Sequence, residues 1–255
     1  MAAPMIELAG VSKRYGGHAA LDDVGLSVGE GEFVALVGGS GSGKTTLLKT
    51  INGLVRPDAG RIVVAGEDVA TASPHLLRRR IGYVFQEVGL FPHLSVAENI
   101  GITPRLLGWD KARIAARAAE LLALVDLPPG VAARPPAALS GGQRQRVGVA
   151  RALAAEPRLM LMDEPFGALD PVTRDALGAD YRALHERLGL TTIMVTHDMT
   201  EAVLLTDRVV VLKTGRILAD GAPGALLAQS SDPDVLALLE APKRQAQRLA
   251  ERLGA

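Results

Sequence analysis

The chain has 255 residues, 48% of them apolar and only 3% aromatic, which fits one large α/β domain or two small ones with a core of Ala, Leu, Val and Ile. Lysine plus arginine (28) equals aspartate plus glutamate (28), without the basic bias of a bulk nucleic-acid binder, and no nucleic-acid partner is expected. Cysteine is absent, which excludes thiolate-bound zinc, thiol catalysis and disulfides.

No apolar run reaches the ~20 residues of a membrane span. Met1 to Leu8 has neither a basic cluster nor a long apolar stretch, so no signal peptide is expected. The chain reads as soluble, serving a membrane only through a partner.

Short strand patterns open the chain at Ile6–Leu8 and Leu26–Val28, and Gly29-Glu30-Gly31 reads as a turn. Phe33–Val37 is continuously apolar, the mark of a strand buried on both faces. It runs into the glycine loop Gly38-Gly39-Ser40-Gly41-Ser42-Gly43-Lys44-Thr45, followed by a helix over Thr45–Leu54. Strand, glycine loop and helix are the context of a phosphate cradle. Glycines let backbone N–H groups converge on phosphate oxygens, and the helix adds its positive end. Lys44 is expected to reach the β- and γ-phosphates, with Thr45 on Mg²⁺ and Thr46 in the same cradle.

Ile62–Val64 and Ile81–Phe85 read as further strands. Gln86 then stands where it can contact Mg²⁺ or the attacking water, although any glutamine taken alone reads as a surface residue. From Gly89 to Leu139 helical patterns dominate: Asp110 is a candidate N-cap, and Ile114, Ala118, Leu121, Leu122 and Val125 share one helical face. Asp126–Ala138 reads as a connecting loop.

Ser140, Gly141, Gly142 and Gln143 open a helix that runs to about Ala155, with an apolar face of Val147, Ala150, Leu153 and Ala154. A serine cap followed by glycines makes a second anion site without a lysine. One nucleotide on one chain does not need it; a second copy of the chain does.

Leu159–Met162 delivers two acids at the C-terminal end of a buried strand, where ligands sit in open α/β sheets. Asp163 is expected to hold Mg²⁺ and Glu164 to orient or deprotonate the attacking water. Strands follow at Thr192–Val195 and Val209–Leu212, then a turn at Lys213–Arg216 into Ile217–Leu218. His197, after the first of these, is either structural or a partner for the γ-phosphate. Tyr15 is either an adenine platform or a half-buried tyrosine. A charged, exposed terminal helix is expected from Ala241 to Leu253.

Gly38–Thr45, Gln86, Leu139–Gln143, Met162–Glu164, Ala168-Leu169-Asp170 and His197 occur in this order. That order resembles the motif set of ABC ATPases, the ATP-binding subunits of ABC transporters, over residues 5–225. The resemblance implies a P-loop NTPase core of class α/β with a mostly parallel sheet, an N-terminal antiparallel β subdomain and an inserted α-helical subdomain. Mapped here, 1–87 and 158–225 form the core, 88–157 the helical subdomain and 226–255 a helical tail. It also implies ATP with Mg²⁺ in a head-to-tail dimer, between the glycine loop of one copy and Ser140–Gln143 of the other. Asp170 links the two sites and Tyr15 takes the position of the adenine-stacking aromatic. Permease subunits, an extracytoplasmic solute-binding protein and a peripheral place on the cytoplasmic membrane face are implied as well.

Ile81–Gln86, Gly89–His93, Pro104–Lys111, Val147–Leu153 and Met162–Pro171 resemble more narrowly the ATPase subunits of glycine betaine, choline and carnitine importers. Many members of that branch carry C-terminal CBS domains, and the sequence stops at Ala255. Regulation without them is therefore expected. Gly39 stands where proline is frequent. Other small-solute importers remain an alternative. A DNA-repair or translation ATPase fits poorly, lacking a long coiled-coil insertion or a second ATPase unit.

Overall fold

The computed structural model describes residues 3–167 and 169–253. Ala168, part of one motif above, lies outside the described residues. The chain opens with an antiparallel pair, β1 (Ile6–Tyr15) and β2 (His18–Val28). Next come β3 (Phe33–Val37), α1 (Lys44–Ile51), β4 (Ala59–Val64), β5 (Glu67–Asp68), α2 (Pro74–Arg79) and β6 (Ile81–Val84). Between β6 and β7 lie four α-helices: α3 (Val96–Ile100), α4 (Ile102–Leu106), α5 (Lys111–Leu124) and α6 (Gly141–Leu153). The chain continues through β7 (Leu159–Asp163), α7 (Pro171–Leu188), β8 (Thr191–Val195), α8 (Met199–Leu205), β9 (Arg208–Lys213) and β10 (Arg216–Gly221). It closes with α9 (Pro223–Gln229) and α10 (Pro233–Leu253).

One sheet has the order β2-β1-β4-β5 and is antiparallel; the other has the order β10-β9-β3-β8-β7-β6. In the second, β9, β3, β8, β7 and β6 are parallel and only β10 runs against its neighbour. The sequence order β3, β6, β7, β8 becomes the spatial order β3, β8, β7, β6. The loops after these strands therefore share one edge of the sheet, where open α/β sheets place ligands.

The apolar run of β3 is buried throughout because each face meets a different layer. Val34 and Leu36 pack with Leu47, Leu48 and Ile51 of α1 and with the antiparallel sheet. Ala35 and Val37 pack with Met199, Ala202, Val235 and Leu239 on the other side. Phe33 joins a third cluster that runs through β7 and α7 into α5 and α6. Truncating a side chain such as Leu36 to alanine costs about 2–5 kcal/mol.

Asp110 caps α5, accepting from the Arg113 N–H at 2.8 Å, and Ala118, Leu121 and Leu122 are buried as their spacing predicts. Ser95 and Glu98 close a capping box on α3. Several strands, among them β1, β2, β4 and β10, and the last helix exceed their apolar patterns. β1 and β2 extend through Lys13-Arg14-Tyr15 and His18-Ala19-Ala20, where edge pairing needs no buried alternation. α10 starts at Pro233, not at residue 241, because Val235 and Leu239 anchor an earlier turn and Pro242 is carried inside the helix. β10 runs on to Gly221 on the ladder with β9.

Candidate active site

The loop after β3 admits only glycine at two positions. A Cβ on Gly38 would lie 2.1 Å from the Leu212 carbonyl oxygen, and one on Gly43 would lie 2.3 Å from that of Ala20. Both residues also have positive φ. Gly39, in contrast, leaves open space around an added Cβ. Ser40 and Gly41 form the exposed tip, while Ser42 is buried and its N–H donates to the Gly39 carbonyl at 3.2 Å. α1 begins at Lys44 with no side-chain cap. Its first N–H groups, those of Lys44, Thr45 and Thr46, and its positive end therefore face the loop.

Lys44 Nζ donates to the Gly38 and Gly39 carbonyl oxygens at 2.8 and 2.9 Å. The residue is only 9% exposed. Burial pushes its ammonium pKa down, and the charges of Glu164 and Asp163 oppose that shift. A cation held mainly by carbonyl dipoles in a buried place is suited to an anionic ligand.

β7 brings two carboxylates to the same edge. Thr45 Oγ1 donates to Asp163 Oδ1 at 3.0 Å. Burial raises the Asp163 pKa; the Thr45 hydrogen bond and the charges of Lys49 and Lys44 pull it back, while Glu164 adds to the rise. A hydroxyl and a carboxylate oxygen are hard donors that fit a magnesium ion completed by phosphate and water oxygens. Among the described residues no cluster of three or more His, Cys, Asp or Glu forms a closed metal cage.

Glu164 has φ 49°, a left-handed conformation uncommon for a side-chain-bearing residue, and its N–H donates to the Val195 carbonyl at 2.9 Å. Its Oε2 accepts from Gln86 Nε2 at 3.1 Å and lies 3.5 Å from His197 Nδ1. The ends of β6, β7 and β8 thus meet on one carboxylate oxygen. Gln86, Glu164 and His197 are brought together, next to the Lys44–Thr45–Asp163 cluster through the shared end of β7.

Ser140, Gly141, Gly142, Gln143 and Asp170 are elsewhere. They line a cavity of about 440 Å³ together with Arg146, and no residue of the 38–46 loop lines it. Ser140 caps α6 by a capping box: its Oγ accepts from the Gln143 N–H at 3.2 Å, and its own N–H donates to Gln143 Oε1 at 3.0 Å. Asp170 caps α7, accepting from the Thr173 N–H at 3.0 Å; the Thr173 hydroxyl and then this N–H hold its carboxyl below the usual range. Two helix N-termini therefore open on one cavity. Tyr15 is half exposed at the end of β1, with Lys13 Nζ 5.5 Å from its ring centroid.

The model of the ABC transporter family matches residues 21–167, more than half the chain. This chain belongs to the ABC transporter family.

Its fold is that of an ABC ATPase cassette. It superposes with a TM-score of 0.80 and 35% identity on the dimeric ATP-binding cassette MJ0796 in a post-hydrolysis state bound to ADP and Pi, covering 86% of this chain and 98% of that one. Over 229 residues the chain is 51% identical to the choline transport ATP-binding protein OpuBA of Bacillus subtilis, covering 89% of this chain and 60% of that protein. It thus spans about three-fifths of that relative's length. It is 50% identical to the glycine betaine uptake system ATP-binding protein YehX of Escherichia coli, covering 89% of this chain and 74% of that one. It is also 48% identical to the Fe(3+) ions import ATP-binding protein FbpC of Streptomyces coelicolor, covering 92% and 67%.

The cassette's site has supports that sequence motifs do not reveal. Arg174 Nη2 donates to the Leu169 carbonyl at 3.2 Å, and its Nη1 to Asp198 Oδ2 at 3.2 Å, next to His197. Glu201 lies 3.6 Å from Arg174 Nε and accepts from Thr196 Oγ1 at 2.6 Å. Buried Gln145 donates to the Pro165 carbonyl, tying α6 to the residue after Glu164. The only signal was the run Gln143-Arg144-Gln145-Arg146, in which Gln145 falls on the inward side of α6.

Proposed function

We propose that the chain is the ATP-hydrolysing subunit of an importer and works as a pair of copies, with each ATP between the Lys44 loop of one and the Ser140 helix of the other. The observation that carries this is the separation of the two anion-binding ends. Lys44 lies with Glu164, whereas Ser140 and Asp170 open on a cavity that no residue of the 38–46 loop lines. The dimer described for the structural neighbour supports the same reading.

In the proposed reaction Glu164 takes a proton from water as the water oxygen attacks the γ-phosphorus, and the bond to the ADP oxygen breaks. Gln86 and His197 hold the Glu164 carboxylate in place. Lys44 and the α1 N-terminus stabilise charge on the phosphate oxygens. Thr45 and Asp163 would hold the magnesium ion that neutralises phosphate charge. Loss of the γ-phosphate removes the link between the copies, and they separate.

Motion of Gln86 then reaches a partner. Phe85, Gly89, Phe91, Ile102 and Arg151 line a largely apolar groove of about 480 Å³ between α2, β6 and the helices after it. Phe85 and Phe91 are exposed there. Arg151 braces the loop by donating to the Val88 and Gly89 carbonyls at 2.6 and 2.8 Å. We assign this groove to a membrane permease segment, and place the chain on the cytoplasmic membrane face. No helix among the described residues is long and apolar enough to cross a membrane.

The cargo assigned is a quaternary-amine osmoprotectant, on the strength of the choline and glycine betaine relatives. The iron relative favours a second reading, an importer of another small solute, because cargo is chosen by the permease and binding protein. Uptake of radiolabelled choline and glycine betaine by cells carrying the chain with its neighbouring genes tests both. Accumulation lost with Lys44→Ala supports the osmoprotectant; Lys44-dependent uptake of a different solute alone supports the second reading.

A further inference from the structure

The ring of Tyr15 stands at the end of β1, where β2 still pairs with the strand but β4 no longer does. β1 pairs with β4 up to Ala9↔Arg61, and the register then shifts to Ser12↔Ala59. Gly60 sits inside this bulge so closely that a Cβ on it would lie 2.4 Å from the Gly10 carbonyl oxygen. Beyond Ser12, β1 has no β4 residue left to pair with on that side. Asp58 takes over the role. Its N–H donates to the Ser12 carbonyl at 2.8 Å, its Oδ2 accepts from the Arg14 N–H at 2.7 Å, and its Oδ1 accepts from Lys13 Nζ at 2.8 Å.

The Lys13 side chain, only 17% exposed, is thereby fixed with its ammonium 5.5 Å from the Tyr15 ring centroid. A cation near an aromatic ring restricts the ring and attracts its electron-rich face. Isolated, an exposed Lys–Asp pair contributes little. Here the same carboxylate also holds the backbone N–H of Arg14, next to Tyr15, so it fixes both the main chain and the ring's neighbour. The two bonds hold the Asp58 carboxyl below the usual range.

We propose that Asp58, acting through Lys13 and the Arg14 N–H, is a positioning residue for the nucleotide base, holding the Tyr15 ring at the angle that stacks on adenine. The proposal rests on the reading of Tyr15 as the adenine platform. It concerns base binding alone, since Asp58 has no contact with the phosphate loop among its hydrogen bonds.

Equilibrium binding of ATP and of inorganic tripolyphosphate to the full chain tests it, with Tyr15→Ala, Asp58→Ala, Asp58→Asn and Lys13→Met. Base stacking on one aromatic is worth enough that losing its orientation should weaken ATP binding about 3- to 10-fold. Asp58→Ala and Lys13→Met should show that loss with tripolyphosphate affinity unchanged, and KM for ATP should rise by the same factor while kcat holds. Asp58→Asn, which keeps an acceptor for Arg14 but not the charge for Lys13, should fall between. The proposal is overturned if Tyr15→Ala weakens ATP and both Asp58→Ala and Lys13→Met do not, or if they weaken ATP and tripolyphosphate alike. If Tyr15→Ala itself leaves ATP binding unchanged, the platform reading fails and the proposal with it.

Discussion

Gln86 Nε2 donates to Glu164 Oε2 at 3.1 Å, joining residues 78 apart in sequence. One is at the end of β6, beside the groove assigned to the permease; the other is the carboxylate assigned to the attacking water. In the proposed mechanism, a movement at the groove would reach the reacting end of the site through this hydrogen bond.

Glu164→Gln keeps the shape and removes the proposed base. General-base loss costs about 10²- to 10⁴-fold in rate. ATP affinity should stay near that of the wild type, because Lys44 and the loop are untouched. Steady-state hydrolysis beside equilibrium ATP binding checks this, and near-wild-type turnover would remove Glu164 from its role. Gln86→Ala should produce a smaller fall in rate, since it removes one of two groups that hold the same oxygen.

Asp163→Asn leaves a hydrogen-bonding partner for Thr45 but removes the one charged donor that the proposed site offers to magnesium. The Mg²⁺ concentration for half-maximal hydrolysis should rise about 10- to 100-fold. Binding of ATP without divalent cation should not weaken. Titrating Mg²⁺ at fixed ATP measures the first, and binding in EDTA the second.

Phe91→Asp places a charge on the exposed wall of the groove, away from Glu164 and Lys44. Solute uptake should fall to background, while ATP hydrolysis by the isolated subunit changes by less than about twofold, as for a surface change remote from the chemistry. Equal loss of both would place Phe91 in folding or catalysis instead.

Much of this site was legible because its chemistry is local in sequence. The uninterrupted apolar run Phe33–Val37, the Lys44 loop and the acids after Leu159–Met162 can each be read without knowing the fold. The Asp110 and Ser140 caps were equally plain, since a cap bonds within three residues. What could not be read is the lateral order of the strands. β8 lies between β3 and β7, and only that order sets His197 beside Glu164. Short helices such as α2, α4 and α8 gave too few turns for a periodic signal. Arg174, Glu201, Gln145 and Asp58 act through contacts between distant segments and have no motif of their own. The length of α10 was hidden because Pro242 reads as a start while Val235 and Leu239, which hold the first turns, are few.

Two inactive variants put the two-copy site to the test. Lys44→Ala disables the loop, and Ser140→Arg blocks the end of α6; each alone should have no measurable hydrolysis. A dimer of one with the other retains one undamaged pairing, the intact Lys44 loop of the Ser140→Arg chain facing the intact Ser140 of the Lys44→Ala chain. Mixing equal amounts and measuring phosphate release should therefore restore hydrolysis, to about a quarter of wild type if the two sites act independently. If the mixture stays as inactive as its components, the nucleotide is not shared between copies in the way the separation of Lys44 from Ser140 implies.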